Sequence, residues 1–193
     1  MMDSTYFTNP LVFLVHLIFG VYATIVLLRF LLQLMRADFF NPISQFVVKL
    51  TTPVLNPLHR IIPGVAGLDI ASLTLAWLVK SVELLLIMLI IGIDTNLLAA
   101  FSWAVPELIA LLINIFFFAI LLQVILSWIN PGGYNPAASL LHSLTEPLLR
   151  PARRVLPELG GIDISPMLVM AGLWLLQMLL IPPMQVLFAS PFR

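Results

Sequence analysis

Between Asn41 and Ser72 the chain sets out a run of thirty-two residues that returns, without a gap, between Asn135 and Pro166, ninety-four positions later. Twelve of the aligned positions are identical: Asn41/Asn135, Pro42/Pro136, Leu50/Leu144, Thr51/Thr145, Pro53/Pro147, Leu55/Leu149, Pro57/Pro151, Arg60/Arg154, Pro63/Pro157, Gly67/Gly161, Asp69/Asp163 and Ile70/Ile164. Most of these are Pro, Gly, Asp or Arg, which set backbone and charge rather than fill a core. Each copy lies between long apolar stretches. The chain is therefore expected to be a duplicated membrane module, divided as 1–95 and 96–193.

Composition fixes the solvent. Apolar residues make up 61% of the chain and charged residues 9%, against about a quarter charged in a soluble domain. Nine basic and nine acidic residues balance, so total charge points to neither a nucleic-acid partner nor an acidic substrate. With no cysteine, disulfides, thiolate metal sites and thiol catalysis are excluded. The opening Met1-Met2-Asp3-Ser4-Thr5 lacks a basic n-region, so the first apolar run is expected to be a retained span.

About 20 apolar residues cross a bilayer core as a helix, and lipid leaves backbone groups no partners outside one. Four runs qualify, at about 11–35, 70–92, 106–129 and 167–188. Pro182-Pro183 predicts a kink or an early end in the last. Asp69 is placed to cap the second span, Ser165-Pro166 to cap the fourth, and Trp103 to Glu107 to open the third. Arg36, Lys49 and Arg60 lie between spans one and two and Arg150, Arg153 and Arg154 between spans three and four, whereas the opposite side has only Arg193. The basic bias places both segments in the cytoplasm and both termini outside. The expected fold is all-α, with four transmembrane helices in two parallel repeats, each a helix, an amphipathic elbow and a second helix. Two spans per copy make the duplication parallel, unlike the inverted repeats of many transporters.

In the elbows, apolar residues such as Phe46, Val47, Leu50 and Val54 recur at helical spacing, and basic residues occupy the other face, the pattern of a helix lying in the headgroup plane. Prolines four apart, Pro53/Pro57 and Pro147/Pro151, predict two short pieces per elbow, with the second piece of copy two starting at Thr145-Glu146-Pro147. Glycines at the turn into the next span permit positive φ. Arg60, Arg150, Arg153 and Arg154 are the expected contacts to anionic headgroups or to a membrane partner. Self-association is also plausible for four short spans.

The stretch Ser127-Trp128-Ile129-Asn130-Pro131, followed by E-P-L-L-R-P, R-R-V-L-P and G-G-I-D-I-S-P through Pro166, resembles the signature of the YggT family, also called YlmG. The likeness covers nearly the whole chain as two repeats. Copy one departs at Arg36-Ala37-Asp38, at Ala66 and at Ala71-Ser72. The resemblance implies a small bacterial inner-membrane protein with plastid relatives and no established enzymatic activity. It also implies links to osmotic-stress tolerance, to division-gene neighbourhoods and, in plastids, to haem maturation and nucleoid distribution.

Within the spans, Lys80 and Glu83 share one face of the second helix at i,i+3 spacing, close enough to pair. Ionisable residues at that depth are a functional-site hypothesis by default, with a pinned packing contact as the alternative. Copy two carries Trp174 and Gln177 there, so the pair is not part of the duplicated unit. His16, His59 and His142 form no spaced ligand pair, and no phosphate loop, nucleophile elbow or dinucleotide fingerprint is present. No cofactor is expected. The expected function is a non-catalytic membrane scaffold or assembly factor. The alternative is a transporter, channel or osmotic-response component with a polar path at Lys80 and Glu83.

Overall fold

A computed structural model describes residues 4–64, 67–93, 96–129, 135–155 and 163–188. Pro157, Gly161, Ala66 and Arg193 lie outside the described residues, as does Asn130-Pro131 of the signature stretch. Among the described residues six helices follow one another: α1 Ser4–Leu34, α2 Pro42–Ile61, α3 Ile70–Ile91, α4 Leu97–Ile129, α5 Pro136–Val155 and α6 Ser165–Leu187. Among the described residues there is no strand. Four of the helices, α1, α3, α4 and α6, are long and apolar enough to cross a membrane.

Several boundaries differ from the sequence expectation. The third span starts at Leu97, not near Pro106, because Asn96 Oδ1 accepts from the backbone N–H of Leu98 at 3.0 Å, a strong N-cap. Pro106 removes one backbone bond from a helix of 33 residues and does not end it. Glu107 is therefore an interior residue of α4 rather than a first-turn carboxylate. Likewise α6 runs through Pro182-Pro183 to Leu187. Ser165 does not cap α6. It is the first helical residue, and its backbone N–H donates to Asp163 Oδ1 at 2.9 Å.

The proline pairs do not divide α2 or α5, which are continuous over 20 residues each. Spacing by four is the reason. A proline leaves free the carbonyl four residues back, so Pro53 and Pro57 confine both missing bonds to the row Lys49, Pro53, Pro57. That row is exposed throughout, and Pro147 and Pro151 are exposed in α5, so solvent or headgroups reach the freed carbonyls.

The two copies pack alike. In copy one α3 and α2 lie against α1, and in copy two α6 and α5 lie against α4. The copies meet mainly through α3 and α4, and only slightly through α1 and α4. The main core joins Val26, Leu27 and Leu31 of α1 to Ala71, Leu75 and Ala76 of α3, with Ala119 of α4 and Leu55 of α2. Small residues let these backbones approach closely, as is usual where helices associate in lipid. Indole nitrogens tie the other end: Trp77 Nε1 donates to Phe101 O at 2.9 Å and Trp103 Nε1 to Phe188 O at 2.7 Å.

Candidate functional site

The repeated residues build the same joints twice. Asn41 and Asn135 each cap their short helix, with Oδ1 accepting at 2.9 Å from Ile43 N–H and from Ala137 N–H. Asn41 also spans the copies, its amide donating to Pro136 O at 2.7 Å. Thr51 and Thr145 are buried and receive equivalent residues of the preceding span. Arg29 Nη1 donates to Thr51 Oγ1 at 2.8 Å and to Thr52 Oγ1 at 3.0 Å. In copy two Thr145 Oγ1 donates to Gln123 Oε1. Arg29 thus reaches onto α2, with Nε 3.9 Å from Asp69 Oδ2.

A second joint ties each short helix to the next span. His59 Nε2 lies 2.8 Å from Asp69 Oδ1, and Arg153 Nε donates to Asp163 Oδ2 at 2.8 Å. Asp69 is buried and caps α3 through Ser72 N–H at 3.0 Å. Burial pushes its carboxyl up, but the hydrogen bonds from Ser72 and His59 outweigh that and hold it below the ordinary carboxylate value. Asp163 follows the same balance, burial against Ser165 and Arg153, and is also lowered. Burial acts to lower the Arg153 guanidinium, yet Asp163 and Glu146 together raise it. Gly67, in the connection after Pro63, sits at φ 81, a conformation that glycine adopts without a Cβ penalty.

Helix α2 has three distinct sides. Ser44, Val47, Thr51 and Leu55 are buried against the bundle. Ile43, Phe46, Leu50 and Val54 are apolar and exposed, and Lys49 and Arg60 lie on the remaining exposed side. The apolar residues expected to form one face therefore divide between protein and surroundings. On α5, Arg150 and Arg154 are exposed. Among the described residues neither they nor Arg60 has an ion-pair partner. Arg153 differs, being held by Asp163 and by Glu146 at 2.8 Å.

In the middle of α3, Lys80 Nζ donates to both carboxylate oxygens of Glu83 at 2.9 Å, with both residues buried. A partner not anticipated from sequence completes the group: His16 Nδ1 of α1 lies 2.6 Å from Glu83 Oε1. His16 and Glu107 line two adjoining cavities of about 430 and 310 Å³. Lys80 and Asn114 line the larger and Glu83 the smaller. Only the i,i+3 contact was legible in the sequence, since His16 is 67 residues from Glu83. Among the described residues no three His, Cys, Asp or Glu are grouped to hold a metal ion.

No solved structure matches the chain. An uncharacterized protein of Pseudomonas aeruginosa is 44% identical over 182 residues, covering 93% of this chain and 92% of that protein. The uncharacterized YggT of Escherichia coli is 37% identical over 170 residues, 88% of each. An uncharacterized protein of Vibrio alginolyticus is 38% identical over 170 residues, covering 86% of this chain and 90% of its own length. The CCB3/YggT family model matches twice, at residues 8–90 and 102–184, and the two matches are offset by the same ninety-four positions as the repeat. The chain belongs to the CCB3/YggT family.

Proposed function

We propose that this protein is a non-catalytic, multi-pass protein of the bacterial inner membrane that organises anionic lipid, and through it a membrane partner, at its cytoplasmic face. The observation that carries the reading is the three-sided surface of α2. One side is buried, one offers apolar residues to acyl chains, and one offers cations to phosphates. A helix with that division rests in the headgroup plane. Arg60, Arg150 and Arg154, without an ion-pair partner among the described residues, supply attraction of about 1 kcal/mol per cation near an anionic surface. Arg153 acts within the fold instead, fastening α5 to Asp163.

The test is retention of phosphatidylglycerol or cardiolipin by purified protein, compared with Arg60→Ala/Arg150→Ala/Arg154→Ala. Loss of anionic lipid with unchanged melting is the expected result. Equal retention by the triple variant would remove the basis for the reading.

A second reading, as a transport or osmotic-response component, draws on the buried Lys80–Glu83 pair. Ion flux through protein in liposomes, abolished in Lys80→Ala/Glu83→Ala, would favour it.

A further inference from the structure

The slight contact between α1 and α4 leaves a crevice along their seam. Three cavities lie in sequence there. The smallest, about 310 Å³, reaches Val12 and Ile87. The middle one, about 430 Å³, shares His16 and Glu107 with it. The largest, about 560 Å³, shares Thr24, Leu111 and Asn114 with the middle one and continues to Leu32 and Leu144. From Val12 to Leu32 the seam is about 30 Å long at 1.5 Å per residue, the thickness of a hydrocarbon core. It opens sideways, since Leu17, Val21, Phe118 and Leu122 on its rim are exposed.

The middle chamber holds unspent hydrogen-bonding capacity. Lys80 uses two of its three N–H groups on Glu83. His16 engages Glu83 through Nδ1, and its Nε2 has no partner among the described residues. Glu107 and Asn114 have no hydrogen-bond partner among the described residues. Polar groups at this depth are costly without partners. The chamber between Thr24 and Leu144, by contrast, is walled almost wholly by apolar side chains, and a cavity of that kind stays dry and takes an apolar guest.

We infer that the α1–α4 seam binds an isoprenoid-type amphiphile with a neutral, oxygenated ring as its head, a quinone or quinol. The head lies against His16, Lys80, Glu107 and Asn114, and the tail lies in the apolar chamber. Charge selects the head. Lys80 is already matched by Glu83, so the chamber has no surplus cation for a phosphate, and a charged headgroup would sit at mid-span, about 15 Å from either end of α3. A ring bearing carbonyls accepts from Lys80 and Asn114, and one bearing hydroxyls donates to His16 Nε2 and Glu107. Either redox form is therefore satisfied, and no electron transfer is invoked. Size selects the body. The apolar chamber spread over the roughly 12 Å from Thr24 to Leu32 has a cross-section near one or two alkyl chains, well short of a helix about 10 Å across.

The experiment uses full-length protein in nanodiscs free of quinone, titrated with a benzoquinone carrying a decyl tail, with an azido derivative to map the crosslink. Saturable binding is expected, with crosslinks on α1 and α4. Asn114→Leu should weaken binding of the quinone about tenfold and Glu107→Gln binding of its reduced quinol by a similar factor, while Trp174→Phe on α6 leaves both unchanged. Absence of saturable binding, or crosslinks confined to α6, would overturn the inference. Equal competition by decylbenzene would show a seam that reads only the tail, and equal competition by phosphatidylglycerol a general lipid groove; either result also overturns it. Flux dependent on Glu107 without quinone binding would assign the chamber to ions instead. Should Glu107→Gln fail to fold, Asn114→Leu and the crosslink map still decide.

Discussion

His59 and Arg153 occupy the same place in the two copies, and each reaches ten residues onward to the aspartate just before the following helix. One copy makes this joint with an imidazole and the other with a guanidinium. What was retained through the duplication is the contact rather than the residue. The same holds for Arg29 and Gln123 against Thr51 and Thr145. The two pairs fasten each short helix at its middle and at its end.

The joints differ in burial, and their variants should differ accordingly. Asp69 is 4% exposed, so His59→Ala withdraws a partner from a buried carboxylate and should cost about 1–2 kcal/mol. Arg153 and Asp163 are each more than a third exposed at the side chain, and Arg153→Ala should cost about 0.2–1 kcal/mol. Thermal or denaturant unfolding in detergent checks the order, with His59→Ala the more damaging.

Asp69 and Asp163 also predict an acid limb. Both carboxyls lie below their ordinary value of 3.8 in the fold. The unfolded chain therefore binds protons first as pH falls. Their contribution is fully present above pH 3.8 and is lost as pH drops through the lower folded values. Stability followed from pH 6 to pH 2 should decline less steeply below about pH 4 in Asp69→Asn/Asp163→Asn than in the wild type.

The Lys80–Glu83 pair should show the asymmetry of buried ions. Removing Glu83 strands the Lys80 charge, and Glu83→Ala alone should cost about 3–5 kcal/mol, whereas Lys80→Ala leaves Glu83 to His16 and should cost less. Replacing both, as Lys80→Met/Glu83→Leu, should cost far less. Equilibrium unfolding of the three variants measures this, and a double variant worse than either single one would contradict the account.

Cysteines are absent from the chain, which makes topology directly testable. Asn96→Cys and Ser143→Cys should label with an impermeant maleimide from opposite sides of the membrane. Labelling of both from one side would refute the orientation drawn from the basic residues.

Much of the fold was legible because its signals are local. Apolar runs mark the four long helices, Asp69 sits where a cap belongs, and the i,i+3 spacing pairs Lys80 with Glu83. What was hidden depends on neighbours. Proline rules describe an isolated helix, and they fail in α2 and α5 because the freed carbonyls share one exposed row. Pro106 mimics a helix start only while Asn96 goes unnoticed as the better cap. The division of α2 into protein-facing and outward apolar sides requires knowing where α1 lies. His16 and Glu107 join the central group through tertiary packing, and no short-range pattern announces that.

Helix α4, with 33 residues, is about 50 Å long at 1.5 Å per residue, against a hydrocarbon core of about 30 Å. It has to lean or project, and the angle it takes depends on how thick the surrounding bilayer is. Because α1 touches it so little, a change in that angle is free to widen or narrow the space between them.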